Sequence, residues 1–435
     1  MRPTLSQEYE AMLARVAARI RSLASSCDFG LWFFTDLHVP SNAGRSGELL
    51  ARLVGETGLA TVVFGGDVPE AFGTRADLDR AIGRYRAEWV GAVERAGAAF
   101  FPVHGNHDLT IRASADVEDG FTYPASRTRS ILLDTAAVRA RAVACPDAPD
   151  ACCYYADLPE ARVRLVVADT HDSIFADRPW WGVEDSLSGA QLRWLARTAL
   201  GGLPSGFDAV VAQHTASAGV GSTAAERERF AAWTAVLAAF RARSRIDVAG
   251  DPVDFAGATG RVLAVLSGHH HAELQSCIAG TWHFSEPCDA AYFDYIHRSL
   301  PWCPDLPEKR IGSPFEQTLD AVQFDRVRSL AHFTRVGGGA DRTVHLEPVR
   351  LAVGASRRFE AAFLPSVSRW GAYDGDRASL RANPARRYDY FTDYFSDVGF
   401  VSPDGVFTAR APGEAVIAAL APGGAKELFA VHVTP

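Results

Sequence analysis

The chain has 435 residues, 48% of them hydrophobic, with a formal charge of −8 and seven cysteines. That length fits two domains and that apolar fraction fills a substantial core, which excludes a disordered or low-complexity chain. The negative balance removes the basic footprint of sequence-independent nucleic-acid binding, so a small substrate is favoured over a polynucleotide.

Leu5, Tyr9, Leu13, Val16 and Ile20 recur at helical spacing with Arg15, Arg19 and Arg21 between them. This predicts an amphipathic helix packed on the domain and not a secretion signal, and a cytoplasmic protein is the expectation. Phe29 to Thr35 then reads as a buried strand running into Asp36-Leu37-His38. A helix carrying Leu49, Leu50, Leu53 and Val54 leads to a strand at Thr61 to Phe64, which runs into Gly66-Asp67. Leu78, Ile82, Tyr85, Trp89 and Val93 mark the next helix, and a strand at Ala98 to Val103 runs into Gly105-Asn106-His107-Asp108.

Tyr154 to Asp157 and Val163 to Asp169 predict a strand pair ending in Asp169-Thr170-His171-Asp172, read as a polar loop near the site rim. Gly189 to Leu195 opens a helix. Ala209 to Ala212 runs towards His214, Phe230 to Phe240 reads as a core helix too short to span a bilayer, and Val262 to Leu266 runs into Gly268-His269-His270-His271. Each polar block lies just past the carboxyl end of a predicted strand, where open α/β sheets place their sites. The blocks supply N and O donors and a carboxylate able to bridge two cations, which is what a binuclear metal centre needs.

In this order the five blocks resemble those of the calcineurin-like metallophosphoesterases: D-x-H, G-D, G-N-H-[D/E], a lone His and G-H-x-H. The resemblance implies an α/β fold, arranged as a four-layer α/β/β/α sandwich. It implies two transition-metal ions (Mn, Fe, Zn, Co or Ni) and hydrolysis of small phosphomonoesters or phosphodiesters by a metal-bridging hydroxide. Asp36, His38 and His271 would hold one ion, Asn106, His214 and His269 the other, with Asp67 bridging. His107 would face the substrate and protonate the leaving group, with Asp108 orienting its ring.

Val68-Pro69-Glu70-Ala71 follows Asp67 where Ser/Thr protein phosphatases carry Asp-Arg-Gly, which disfavours protein dephosphorylation. Glu70 stands where purple acid phosphatases have a tyrosine ligand, which disfavours a ferric tyrosinate centre. Nucleotides, sugar phosphates and lipid headgroups remain as substrates. The alternative is a catalytically silent scaffold of the same fold, although none of the implied ligands is missing. An amidohydrolase would place its H-x-H early in the chain, and a metallo-β-lactamase would need H-x-H-x-D-H. Neither pattern is present.

Gln317 to Phe324, Val327 to Phe333 and Thr343 to Leu346 read as strands, with a turn at Gly337-Gly338-Gly339. They are expected to close a catalytic domain spanning residues 1–347. Residues 348–435 alternate short strands and turns, among them Pro403-Asp404-Gly405, and resemble a bacterial group 2 immunoglobulin-like domain, a small all-β sandwich. Asp389 to Asp397 is a departure from that pattern, read as an insertion. All implied ligands precede Pro348, so a chain stopped near Glu347 is expected to fold and keep its ions. The cysteines contain no C-x-x-C pair and read as reduced thiols, the alternative being a disulfide among Cys145, Cys152 and Cys153 or between Cys288 and Cys303.

Overall fold

The structure, a computed structural model, describes residues 5–39, 45–70, 74–108, 110–111, 121–122, 125–172, 187–219, 224–290, 312–374 and 396–435. Cys303 and residues 389–395 of the expected insertion lie outside them. Among the described residues two large sheets carry the fold. The first has nine strands, in the order Arg369–Asp374, Gly413–Leu420, Lys426–Thr434, Arg342–Ala352, Leu330–Gly337, Thr318–Asp325, Phe29–Phe34, Thr61–Phe64 and Ala99–Pro102. The second has seven, in the order Leu274–Ile278, Thr281–Ser285, Val262–Ser267, Asp208–Ala212, Val163–Val167, Tyr154–Leu158 and Ala142–Ala144.

The strands that run into Asp36, Asp67 and Asn106 in one sheet, and towards His214 and His269 in the other, are parallel to one another within their sheet. Trp32 pairs with Val62 and Val62 with Phe100 in one sheet, and Val210 pairs with both Ala264 and Leu165 in the other. Strands buried on both faces need continuous apolar runs, which is why Phe29–Phe34 and Val262–Ser267 read so clearly. The two sheets share one apolar core, in which the Phe284 and Phe333 rings lie 4.7 Å apart. The amino-terminal helix Gln7–Leu23 buries Tyr9, Leu13, Val16 and Ile20 against the first sheet. Helix Ala231–Ala242 lies on the second. Among the described residues no helix is long and apolar enough to cross a membrane.

The carboxy-terminal residues form β-structure and share a sheet with the rest. Strand Arg342–Ala352 runs unbroken through Glu347, the position where sequence reading placed a domain boundary. Strand Lys426–Thr434 pairs parallel to it, from Arg342 with Lys426 to Ala352 with Thr434. A separate three-stranded sheet (Ser356–Arg358, Val406–Ala409 and Gly399–Val401) packs over Phe359, Phe407, Ile417, Phe429 and Val431, an apolar cluster of its own. The Tyr373 hydroxyl donates to the Gln275 carbonyl at 2.8 Å, and Glu414 accepts from the amides of Ala279 and Gly280.

A buried ion network that sequence reading did not anticipate joins these parts. Arg335 contacts Asp320, Glu273 and Glu286 at 2.8 to 3.0 Å, and Arg342 contacts the same three carboxylates at 2.6 to 2.8 Å. Lys426 adds the third cation, on Glu273. All six side chains are almost fully buried, so each charge depends on the others for compensation.

Candidate metal centre

Short loops following the strands build the site, and their backbones are locked to one another. The amides of Leu37 and His38 donate to the Asp67 carbonyl at 2.8 and 3.2 Å, and Val39 bridges to Pro69. The His107 amide donates to Asp67 Oδ1 at 2.7 Å, and the His269 amide to Asp36 Oδ2 at 3.1 Å. Five site residues have left-handed backbones, with φ of 57° at Asp36, 44° at His38, 63° at Asp67, 68° at His269 and 54° at His271. Side chains other than Gly rarely adopt this conformation, and the strain is characteristic of functional loops.

The side chains converge in two groups. His38 Nε2 and His271 Nε2 lie 3.0 Å apart, with Asp36 Oδ1 3.1 Å from the latter. His214 Nε2 and His269 Nδ1 both approach Asn106 Oδ1, at 3.0 and 2.8 Å. Asp67 Oδ2 stands between the groups, 3.3 Å from His214 Nε2 and 4.0 Å from His38 Nε2. The sequence-predicted residues Asp36, His38, Asp67, Asn106, His214, His269 and His271 are therefore together. Imidazole, carboxylate and amide donors aimed at one another across about 3 Å suit transition-metal cations set between them.

Electrostatics in the site follow from proximity. Burial penalises the charged form of the His214 ring, but the Asp67 and Asp36 carboxylates outweigh it and push its pKa up to about 10. Burial likewise opposes ionised Asp36, and His271 and His38 hold its carboxyl well below the ordinary range.

His107 lies beside this set, its ring edge-on to His38 at 4.9 Å and its Nε2 3.9 Å from Asp67 Oδ2. Burial pushes its pKa down to about 4. Asp108 departs from the expected role of orienting the His107 ring. Its carboxylate accepts from the backbone amides of Gly105, Asp67 and Val68 at 2.7, 3.2 and 2.6 Å, so it ties the second and third ligand loops together.

Further residues border the site. His104 Nδ1 meets Asp169 Oδ1 at 3.0 Å, and Asp169 also accepts the Cys152 amide. The His171 ring packs 5.6 Å from both His104 and His214, whereas Asp172 accepts from Ser188 at the start of helix Gly189–Trp194. Glu226, which sequence reading passed over, is buried on helix Ala224–Arg229 at 3.9 Å from both His269 Nε2 and His270 Nε2. Its run, Ala224-Ala225-Glu226-Arg227-Glu228-Arg229, looks like any solvated helix and gave no signal.

Residues 29–273 match the family model described as calcineurin-like phosphoesterase. Comparison with curated protein sequences gives no significant match. Similar solved structures include GAP50, the anchor in the inner membrane complex of Plasmodium, with 11% identity, a TM-score of 0.35, and 71% of this chain and 89% of that one covered. A putative 5'-nucleotidase from Staphylococcus aureus is 12% identical, with a TM-score of 0.36 and coverage of 73% and 54%. The phosphopantetheinyl hydrolase of Mycobacterium tuberculosis is 12% identical, with a TM-score of 0.28 and coverage of 60% and 91%.

Proposed function

Since the chain belongs to the calcineurin-like phosphoesterase family, we propose that it hydrolyses small phosphomonoesters or phosphodiesters with two transition-metal ions. The observation that carries this reading is the position of Asp67, whose Oδ2 lies between the His214 and His38 ring nitrogens. In this reading Asp36, His38 and His271 would hold one ion and Asn106, His214 and His269 the other, with Asp67 available to both. When bound, the ions would supply positive charge to the phosphoryl oxygens and an activated water as nucleophile.

The protein's own groups do the rest. Asn106 adds an oxygen without a charge, which limits the negative balance of the site. His107 faces the same centre and is neutral near pH 7 because burial holds its pKa at about 4. An arriving phosphate dianion would raise the proton affinity of that ring, and in this reading its Nε2 carries a proton to the leaving-group oxygen. Asp108 keeps the Gly105 and Asp67 loops in register.

The α/β/β/α layering of residues 1–347 belongs to this proposal, as does an immunoglobulin-like unit at 348–435, for which the separate apolar cluster around Phe407 and Phe429 is the support. The test is Asp67→Asn with metal analysis and a panel of phosphorylated small molecules assayed with Mn, Zn and Fe. Wild-type protein should hold two ions and turn over at least one ester, and the variant should lose both properties. Two ions without turnover of any ester would favour the silent scaffold, and one ion in active wild-type protein would sink the two-metal reading.

A further inference from the structure

We propose that Glu70 and Glu226 are positioning residues, one behind each ion site, and that they fix the tautomer and aim of His38 and His269. The inference rests on the ligand assignment above and concerns the outward side of those rings. Each of three ligand imidazoles turns one nitrogen to the centre and the other to an acceptor. His214 directs Nε2 to Asn106 and meets the Gly65 carbonyl with Nδ1 at 2.7 Å. His38 directs Nε2 inward and turns Nδ1 towards Glu70 Oε2 at 3.6 Å. His269 is reversed, with Nδ1 on Asn106 at 2.8 Å and Nε2 towards Glu226 Oε1 at 3.9 Å.

A neutral imidazole donates from one nitrogen and offers a lone pair from the other, so the outward acceptor decides which nitrogen is free for a cation. A carboxylate in that place also makes the ring a stronger ligand. Both glutamates are held in position by backbone. The Glu70 amide donates to the carbonyl of Val39, next to His38, at 3.1 Å. Glu226 is buried on its helix, with its second oxygen 3.9 Å from His270 Nε2. The separations of 3.6 and 3.9 Å exceed a hydrogen bond, and a small ring approach or one bridging water closes them.

The experiment is titration of metal-free protein with Zn²⁺ against a chromophoric chelator, for wild type, Glu70→Gln and Glu226→Gln, with a thermal melt of each. Histidine ¹⁵N spectra of the Zn-loaded wild type accompany it. Wild type should bind two ions. E70Q should weaken one of them and E226Q the other, each by roughly 10- to 100-fold, with melting unchanged. The spectra should show His38 protonated on Nδ1 and His269 on Nε2, a readout that needs no variant to fold. The opposite tautomers, or two unaltered affinities in well-folded variants, would overturn the inference. Three ions in wild type and two in E226Q would also overturn it, because Glu226 would then be a ligand itself. Fewer than two ions in wild type would instead defeat the two-metal reading on which it rests.

Discussion

At His283, on strand Thr281–Ser285, both ring nitrogens are buried without a hydrogen-bond partner among the described residues, and burial pushes the pKa down to about 4. The unfolded chain binds a proton there below about pH 6.5, whereas the folded protein does not until about pH 4. Folding stability therefore falls as pH drops through that window, by up to a few kcal/mol at about 1.4 kcal/mol per pKa unit. His283→Leu should flatten this acid limb while leaving stability near pH 8 within about 1.5 kcal/mol, as tolerated core swaps do. Denaturant melts at pH 8, 6.5 and 5 check it, and an unchanged acid limb would mean that other groups set it. His107 gives a second prediction at this scale. His107→Ala should slow esters of alkyl alcohols by about 100-fold or more and aryl esters much less, as expected when a general acid is lost. Equal losses for both esters would assign the ring a charge-stabilising or structural role.

The ligand loops are as tightly packed as the strands that carry them. A Cβ on Gly268 would fall on Thr35 Oγ1 and Asp36 Oδ2, and one on Gly105 would fall on Asp67. Gly268→Ala should therefore displace Asp36 and lower hydrolysis by about 100-fold, the scale of a 1 Å misplacement, with far-UV circular dichroism unchanged. Normal kinetics would show that the loops yield more easily than this packing implies. Such elements were largely legible in sequence. The strands Thr61–Phe64 and Val262–Ser267 and the helix Arg45–Thr57 fall within a few residues of their apolar runs, because burial on a fixed period is a local signal. That the seven candidate ligand side chains come together was legible for the same reason, as each follows its strand closely. The left-handed backbones of Asp36, His38, Asp67, His269 and His271 left no decisive local trace, since Asp and His adopt positive φ more often than most residues but far less often than glycine. Asp108 was misread because its backbone partners, Asp67 and Val68, lie a whole strand–helix unit away.

Across the whole molecule, contacts between distant parts of the chain decide what is separable. Lys426 meets Glu273, and nothing in the neighbourhood of either residue announces the other. Removing one member of a buried pair leaves a charge uncompensated, so Lys426→Met should cost about 3–5 kcal/mol in a denaturant melt. A chain stopped after Glu347 would lose that cation and the parallel partner of strand Arg342–Ala352 together. We expect it to express poorly or melt without cooperativity, and a truncated protein that melts cooperatively with both ions would establish residues 348–435 as an independent unit.

That same parallel pairing has a consequence for biosynthesis. A ribosome delivers Glu273, Glu286, Asp320, Arg335 and Arg342 well before Lys426, so the nascent chain holds three carboxyl groups against two guanidinium groups, and an unpaired strand edge, for as long as the intervening residues take to emerge. Such an edge is a template for wrong partners, and domains that close through distant strands close late. Messages cut short within strand Lys426–Thr434 should then yield a product that the cell's chaperones and proteases recognise, even though every residue of the candidate metal centre has already been made.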